Sequence, residues 1–336
     1  MKSVLITGGA GFIGSNFVRM MAKTHPTWKL IVLDALTYAG NLENFPPDFW
    51  NENRVFVHGN IIDEKTVDQC MSQVKAVVHF AAETHVDRSI VDAGKFIDTD
   101  VKGTWVLLEA ARKYKIKRFV HISTDEVYGE AVGKPSKEGD DLKPKSPYAA
   151  SKAGADRLAF SYWATHNVPV VISRCSNNYG PYQYPEKLIP LFVTNALENK
   201  SLPVYGSGEN SRDWIHVNDH CEAIEILLLD IGHLGEVFNV SSNEEHSVLE
   251  ITDIILKKLG KSKDLIKHIK DREGHVVRHA VDASKFRETF NWSPISHFKR
   301  NMELTIDWYV QNEQWWRNVK QKSEEYKRWV REQYGE

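Results

Sequence analysis

The chain has 336 residues, of which 42% are hydrophobic and 26% are charged, as in an ordinary globular protein. Its 43 Lys and Arg residues nearly balance 45 Asp and Glu residues, so the net charge of −2 provides no general basic field for nucleic acid. No apolar stretch approaches the ~18 residues that a membrane-spanning helix needs. The composition therefore excludes membrane, fibrous and disordered proteins, and we expect neither a nucleic-acid partner nor a membrane partner.

Short apolar runs alternate with helical patterns along the first half of the chain, which is typical of βαβ units. Strands are predicted over residues 4–7, 30–33, 55–58, 76–80, 118–123 and 168–174. Helices are predicted over residues 15–24, 96–114, 148–166 and 188–199, and later over 221–230, 248–259 and 301–311. Because the strand runs are apolar on both faces, we expect a doubly wound parallel sheet of the Rossmann type, an α/β fold with helices on each side.

Three glycines, Gly8, Gly11 and Gly14, form a GxxGxxG motif between the first predicted strand and the first predicted helix. Glycine there permits a tight turn, lets backbone N–H groups approach a pyrophosphate and lets the helix pack closely on the strand. Asp34 ends the second strand, where a carboxylate can accept hydrogen bonds from an adenosine ribose and would repel a 2′-phosphate. The pattern predicts NAD rather than NADP. The alternative is a glycine-rich turn beside a helix-capping Asp.

The regular alternation weakens after about residue 180, where loops such as GPYQYPEK and YGSGENSRD intervene. We therefore predict an NAD-binding Rossmann domain over residues 1–178, to which 214–240 returns. A smaller C-terminal α/β lobe, formed by 179–213 and 241–336, is predicted to bind the substrate.

The GxxGxxG spacing resembles that of the extended short-chain dehydrogenases. In that superfamily an Asp-Ile or Asp-Val pair after the third strand holds the adenine, and here the pair is Asn60 and Ile61. An Asn carbonyl can still accept a hydrogen bond from the adenine amine.

The three cysteines, Cys70, Cys175 and Cys221, have neither the even number of a disulfide framework nor the spacing of metal ligands. We interpret them as reduced, buried thiols and predict no metal site. The N-terminus, MKSVLITGGAGFIGSN, carries glycines where a signal peptide would have its apolar region. We expect a cytoplasmic protein.

Tyr148 and Lys152 lie one helical turn apart, where an ammonium can stabilise the phenolate of its neighbour. A tyrosine with a pKa near ~10 needs that help to act as a base at neutral pH. Such a pair also occurs by chance in a chain of this size. Here it opens the helix after the fifth strand, which ends in Ser123-Thr124, so we expect Tyr148 and Thr124 to meet at the carboxyl edge of the sheet.

Two carboxylates, Asp125 and Glu126, follow Thr124 directly. Hydride transfer alone does not need them. An elimination does, because one group removes a carbon-bound proton and another protonates the departing hydroxyl. The alternative for an isolated Asp-Glu pair is a turn cap or a solvent-facing position.

Several segments together resemble the dTDP-glucose 4,6-dehydratases. These are HFAAETHVDRSI (79–90), STDEVYG (123–129), YAASKAGAD (148–156), SNNYGPYQYPEKLIP (176–190), RDWIHVNDH (212–220) and WYVQNEQWW (308–316). The resemblance runs almost from end to end. Sister enzymes such as UDP-glucose 4-epimerase and UDP-glucuronate decarboxylase share the glycines and the Tyr-x-x-x-Lys pair but not the Asp-Glu pair.

The resemblance implies an NAD-dependent lyase that removes water from dTDP-glucose to give dTDP-4-keto-6-deoxy-glucose for deoxysugar (rhamnose-type) biosynthesis. Tyr148, with Thr124 bonded to the same oxygen, would take the proton of the 4-hydroxyl as C4 is oxidised. Glu126 would then remove the C5 proton, and Asp125 would protonate the leaving 6-hydroxyl.

The resemblance also implies two sets of binding residues and a homodimer formed through the helix that begins at Tyr148. Besides the glycines, Asp34, Asn60, Ile61, Tyr148 and Lys152, NAD would contact Phe12, Ile13, Thr37, Thr99 and Asn178. The nucleotide sugar would contact Thr84, Thr124, Asn177, Lys187, Leu188, Pro203, Tyr205, Arg212, Asp271 and His275. Among these, Arg212 has the planar fork that suits a diphosphate.

The chain departs from the family pattern in the second lobe, at Ser247, Val276 and His279. We expect these departures to affect nucleotide binding and base choice rather than the type of reaction. Two other hypotheses stay open, a sister epimerase or decarboxylase and a non-catalytic NAD-binding protein.

Overall fold

The computed structural model describes residues 2–271, 274–295, 297–322, 324, 326–328 and 331. In chain order its strands are β1 (Ser3–Thr7), β2 (Lys29–Asp34), β3 (Arg54–His58), β4 (Ala76–His79), β5 (Arg118–Thr124), β6 (Val170–Cys175), β7 (Asn177–Tyr179), β8 (Leu202–Tyr205), β9 (Ser211–His216), β10 (Val237–Val240), β11 (Glu245–Ser247), β12 (Ile266–Ile269) and β13 (Arg278–His279).

The helices alternate with these strands. They are α1 (Phe12–Thr24), α2 (Glu64–Met71), α3 (Val86–Val91), α4 (Ala93–Phe96), α5 (Thr104–Lys113), α6 (Pro147–His166), α7 (Leu188–Leu197), α8 (Val217–Leu229), α9 (Val248–Leu259), α10 (Ser284–Phe290), α11 (Phe298–Gln311) and α12 (Glu313–Lys322). A π-helix, Ile97–Gly103, joins α4 to α5, and a 3₁₀ turn, Asp125–Tyr128, follows β5. None of the helices described is both long and apolar enough to cross a lipid bilayer.

A seven-stranded sheet in the order β10-β6-β5-β4-β1-β2-β3 forms the centre of the molecule, and its neighbouring strands are parallel. The order confirms the predicted doubly wound Rossmann fold. After β3 the chain crosses back over β1 to begin β4, so the connections after β1 and β4 diverge to opposite sides of the sheet. Ligands of such sheets bind in the crevice that this divergence opens at the carboxyl ends of the strands.

The two faces of the sheet carry separate apolar layers because successive side chains of a strand point in opposite directions. Val4 and Ile6 pack with residues of α1 and α8, whereas Leu5 packs with residues of α2, α5 and α6. β5 is buried along its whole length. These layers fix the strand that carries Thr124.

The second lobe has its own core and small sheets. β9 pairs with β7, β11 and β13, and β12 pairs with β8. A cluster of aromatic and aliphatic side chains from α7, α9, α11 and α12 fills the space behind them, with Trp316 and Tyr309 fully buried. β7 follows β6 after one residue, and β9 leads directly into α8, so two short connections tie this lobe to the cleft of the large sheet.

The predicted strands and the long helices are confirmed, with shifts at their ends. Residues 96–114, predicted as one helix, form the end of α4, the π-helix and α5. The helix predicted over 221–230 begins earlier, at Val217, because the His216 side chain caps its first turn by accepting from the Asn218 N–H. The three cysteines are unpaired and buried, as predicted.

Candidate active site

A cavity of about 460 Å³ lies at the carboxyl edge of the large sheet and extends between the two lobes. Its walls include all but one of the residues predicted for the cofactor and the substrate. These are Gly8, Gly11, Phe12, Ile13, Gly14, Asp34, Thr37, Asn60, Ile61, Thr84, Thr99, Thr124, Asp125, Glu126, Tyr148, Lys152, Asn177, Asn178, Lys187, Leu188, Pro203, Tyr205, Arg212 and His275.

The glycine motif forms the tight turn between β1 and α1. Gly8 has a φ of +68°, and a Cβ there would lie 2.5 Å from the backbone nitrogen of Ala81, so a larger residue would be both strained and crowded. Gly11 caps α1 in an extended conformation without using a side chain. The turn therefore leaves the N-terminus of α1, with its free N–H groups, beside the cavity.

The carboxylate of Asp34 ties the glycine turn to the end of β2. It accepts hydrogen bonds from the backbone N–H groups of Ala10 at 2.9 Å and Leu36 at 2.8 Å. Burial raises the pKa of Asp34 even against these donors. A ribose hydroxyl would add a further donor to a carboxylate held in this position.

Two amides on the cavity wall have different surroundings. The Oδ1 of Asn60 accepts from the Ile62 N–H at 3.0 Å, which fixes the orientation of its side chain. The Nδ2 of Asn177 is buried and has no hydrogen-bond partner within the described residues. Since buried polar groups are normally paired, this amide is suited to a bound ligand.

Thr124 ends β5 and organises the turn that follows. Its hydroxyl accepts from the Glu126 N–H at 3.3 Å and donates to Oδ1 of Asp125 at 3.2 Å. The same hydroxyl interacts with the phenol of Tyr148 at the start of α6. Burial, followed by the charge of Glu126, raises the pKa of Tyr148 well above its usual range, and the Thr124 interaction opposes this rise.

Lys152 is buried one turn further along α6, and its ammonium donates to the backbone carbonyl of Ile122 at 2.7 Å. Burial lowers the pKa of Lys152, while nearby carboxylates raise it. The carbonyl contact fixes the amine at the end of β5, between the sheet and the first turn of α6.

The two carboxyl groups of the turn have unequal surroundings. Asp125 is only 3% exposed, and its Oδ2 has no hydrogen-bond partner among the residues described. Burial, and then the negative charges of Glu126 and Asp213, raise the pKa of Asp125 well above its usual range. These effects favour the protonated carboxylic acid of Asp125, which is the form that can donate a proton. Glu126 is less buried and lines the same cavity.

Two cations approach the cavity from the second lobe. Lys187 donates to the backbone carbonyl of Thr84 at 2.6 Å, which joins the loop before α7 to the loop after β4. The guanidinium of Arg212 donates to the carbonyls of Ser211 at 2.8 Å and Val276 at 2.9 Å. Both residues line the cavity.

Comparison with known proteins places this geometry in a family. The model of the GDP-mannose 4,6 dehydratase family matches residues 5–305. The chain is 47% identical over 325 residues to the dTDP-glucose 4,6-dehydratase of Streptomyces niveus, which covers 96% of each protein. The chain belongs to the dTDP-glucose 4,6-dehydratase family.

Solved structures of this family have the same fold. DesIV, the dTDP-glucose 4,6-dehydratase of Streptomyces venezuelae solved with NAD and TYD bound, superposes with a TM-score of 0.91 at 44% identity, covering 94% of this chain and 99% of that one. The Bacillus anthracis enzyme in complex with NAD gives a TM-score of 0.88 at 45% identity, covering 95% of this chain and 100% of that one.

One predicted substrate contact, Asp271, differs from the others in its position. Asp271 does not line the cavity. Its carboxylate lies 2.6 Å from Nδ1 of His275, and the imidazole faces the Tyr205 ring edge to face on the cavity wall. Asp271 therefore orients His275, which lines the cavity, and its own contact with the nucleotide sugar stays a prediction.

The three departures from the family pattern do not line this cavity, but Val276 and His279 line a smaller cavity beside Glu126. Ser247 caps α9 in a reciprocal capping box with Glu250. Val276 contributes its backbone carbonyl to Arg212, and His279 is buried on β13. Their effect on nucleotide binding and base choice stays a prediction.

A buried ion pair on the cavity wall was missed from sequence. Arg88 donates to Glu186 at 2.9 Å, and its guanidinium lies 4.1 Å from the centre of the Tyr38 ring. Glu186 and Tyr38 line the cavity. The sequence indicated these residues only by their place in or near segments that resemble the family. An ion pair between residues far apart in the chain leaves no periodic pattern in the sequence.

Proposed function

We propose that the chain converts dTDP-glucose to dTDP-4-keto-6-deoxy-glucose by loss of water, with NAD as its resident cofactor. The observation that carries this proposal is the buried Asp125 beside Glu126, at the edge where Thr124 and Tyr148 also meet; its burial favours the protonated acid. An oxidation needs a base at one hydroxyl. Asp125 as an acid and Glu126 as a base, in addition to Tyr148, supply what an elimination requires.

The cleft fits a dinucleotide. The glycine turn leaves the N-terminus of α1 open to a pyrophosphate, and Asp34 lies where an adenosine ribose would sit. We propose that Phe12, Ile13, Thr37, Asn60, Ile61, Thr99, Tyr148, Lys152 and Asn178 complete this site. NAD bound there would supply the reversible hydride acceptor for oxidation at C4 and reduction at C6, and so would be regenerated in each turnover.

Tyr148 acts as the base for the glucose 4-hydroxyl. Its phenol must lose a proton in a buried site, and the ammonium of Lys152 on the same face of α6 favours the phenolate. The Thr124 hydroxyl, which interacts with the phenol, orients it toward the sugar. The C4 ketone that results makes the C5 hydrogen acidic.

Glu126 and Asp125 then perform the elimination. Glu126 removes the C5 proton, and Asp125 gives its proton to the 6-hydroxyl as the C6–O bond breaks, so water leaves with that proton. Their unequal burial suits these opposite roles, because a buried carboxyl group keeps its proton while an accessible one can accept one.

The second lobe holds the nucleotide sugar. We propose that Lys187 and Arg212 face the diphosphate, with His275 oriented by Asp271 at the same wall. Thr84, Asn177, Leu188, Pro203 and Tyr205 complete the contact set. The orphaned amide of Asn177 supports this assignment.

We propose further that the protein is a cytoplasmic homodimer serving rhamnose-type deoxysugar synthesis. Exposed apolar side chains support the dimer: Val91 is 81% exposed, Ile97 52% and Trp105 39%, on segments that pack beside α6. The three unpaired thiols support a reducing compartment.

The test is incubation of the purified protein with dTDP-glucose, followed by mass analysis of the nucleotide sugar. We expect product that has lost one water, without added oxidant. An epimerase would leave the mass unchanged with the C6 oxygen retained, and a decarboxylase acting on a uronate would release carbon dioxide. Either result, or NAD consumed in proportion to product, would overturn the proposal.

A further inference from the structure

An unassigned carboxylate lies behind the catalytic edge. Asp100 belongs to the π-helix Ile97–Gly103 and is 1% exposed. Its carboxylate accepts from the Ser151 hydroxyl at 2.6 Å and from the backbone N–H of Glu83 at 2.9 Å. One donor comes from α6 and the other from the loop after β4, so Asp100 joins both segments at the floor of the cleft.

The π-helix itself indicates a functional role for Asp100. A widened turn of this kind is rare and is found mostly at functional sites. It directs Asp100 onto the first turns of α6, where Ser151 directly precedes Lys152. The backbone carbonyl of Asp100 also accepts from the Thr104 hydroxyl, which holds the widened turn in place.

The charge of Lys152 needs a counter-charge, because the ammonium is fully buried and its hydrogen bond goes to a neutral carbonyl. The titratable groups that interact with it from the packed elements are Asp100 on the π-helix, Asp156 on α6, His79 on β4, His121 on β5 and Cys175 on β6. Tyr148 lies one turn before it on the same face of α6. Each of these except Asp100 is neutral or already paired.

The neutral groups are kept so by burial. It lowers the pKa of His121 to about 3 and that of His79 well below its usual range, and it raises the pKa of Cys175 to about 12. Asp156 is occupied by the guanidinium of Arg174, which contacts it at 2.8 and 3.0 Å. Asp100 is thus the carboxylate available to balance Lys152.

We propose that Asp100 is a positioning residue of the reaction, the buried counter-charge that keeps Lys152 charged next to Tyr148 and sets the pH range in which the pair works. This inference rests on the proposed function only for its kinetic readout. The juxtaposition of Asp100, Ser151 and Lys152 carries it.

The sign of the effect follows from charge. A carboxylate near Lys152 and Tyr148 raises the pKa of both groups, since it favours the ammonium and disfavours the phenolate. Burial raises the pKa of Asp100 itself to about 6 against the charge of Lys152, so Asp100 loses its charge below that pH.

The test variant is Asp100→Asn, which keeps the shape and can still accept from Glu83 and pair with Ser151. We expect both limbs of the bell-shaped pH profile of kcat/KM for dTDP-glucose to move to lower pH, by about one unit. Below about pH 6 the variant and the parent should converge, because the parent carboxylate is then protonated too. The control, Ser151→Ala, removes one donor to Asp100 and so raises the pKa of that carboxyl group, but it keeps the carboxylate and should leave the alkaline limb in place.

A second measurement does not need turnover. The titration of Tyr148 is measured as the difference in phenolate absorbance between the parent and Tyr148→Phe. In the NAD-loaded protein, Asp100→Asn should shift this titration to lower pH. Reduced activity with unmoved limbs and an unmoved titration would show a merely structural role and overturn the inference. If the parent fails to dehydrate dTDP-glucose while the titration shifts, the proposed function fails and the role of Asp100 stands.

Discussion

The hydroxyl of Thr124 donates to the Asp125 carboxyl group across 3.2 Å, and the same hydroxyl interacts with the Tyr148 phenol. In the proposed mechanism, the oxidation and the elimination therefore share one side chain at the end of β5. Asp125 nevertheless has a separable task, because its second oxygen is free of protein partners among the described residues. The two half-reactions should therefore respond differently to substitution.

Asp125→Asn should separate them. Tyr148, Lys152, Thr124 and Glu126 remain, so the C5 hydrogen should still exchange with deuterated solvent in dTDP-glucose recovered from the enzyme. Departure of the 6-hydroxyl loses its acid, and such proton transfer contributes ~10²–10⁴-fold. We expect the formation of dehydrated product, measured by mass analysis, to fall by about that factor.

Glu126→Gln provides the contrast. The C5 proton loses its base, so solvent exchange at C5 and product formation should slow together. Turnover of both variants at the parent rate would contradict the assignment of this pair. Loss of C5 exchange in Asp125→Asn would instead show that its defect precedes the elimination.

Asp125→Asn should also stabilise the protein at neutral pH. The pKa of Asp125 is raised by burial, so between its usual value of 3.8 and the higher folded value the native state holds a proton that the unfolded state has released. Stability of the parent therefore falls as pH rises through this window, and the neutral Asn variant escapes that loss.

Thermal unfolding at several pH values measures this effect. The Tm advantage of Asp125→Asn should be absent below about pH 4 and should grow as pH rises from there through the raised pKa of the folded protein. Asp141→Asn is the control, because that side chain is 82% exposed. An advantage that does not depend on pH would mean that the buried charge is not its cause.

The sequence predicted the Rossmann sheet well because its strands are apolar on both faces and its glycines and Asp34 stand at fixed places relative to β1 and β2. The cavity residues of the first lobe follow from that topology. The proximity of Tyr148 and Thr124 could be predicted from sequence because β5 ends, and α6 begins, at the same edge of the sheet.

The other features of the site depend on contacts that leave no local pattern in the sequence. Asp271 was predicted to contact the substrate, and its pairing with His275 had no signal in the sequence. Asp100 was missed because its partners, Glu83 and Ser151, lie 17 and 51 residues away along the chain. The residues around Asp100 have the pattern of an ordinary α-helix, so the sequence did not predict the π-helix that orients its side chain.

Asp156→Asn should destabilise the fold strongly. The guanidinium of Arg174 is almost fully buried and contacts both oxygens of Asp156. Against the opposing effect of burial, Arg174 lowers the pKa of Asp156 to about 2. Removing one partner leaves a buried charge uncompensated, which costs about 3–5 kcal/mol.

Urea unfolding measures the change in the free energy of unfolding. Asp68→Asn, which breaks the exposed pair with Lys113, is the control and should change little. The contribution of Asp156 should disappear as pH falls from its usual 3.8 through about 2, because its pKa is lowered in the folded state. An Asp156→Asn variant as stable as the control at pH 7 would contradict this account.

Arg212→Lys should weaken binding of dTDP while leaving NAD binding unchanged. The guanidinium spans the carbonyls of Ser211 and Val276 and lies on the cavity wall, whereas a lysine keeps the charge but loses the planar fork. A loss of about 1–2 kcal/mol is reasonable for charge-assisted bonds. Calorimetric titration with dTDP and with NAD gives the two affinities.

Arg278→Lys is the matched control. Arg278 lies on β13 opposite Ser211, but it binds Glu245 and does not line the cavity. Equal dTDP affinities for the two variants would place Arg212 outside the nucleotide site, and a matching loss of NAD affinity would show that the substitution disturbs the cleft as a whole.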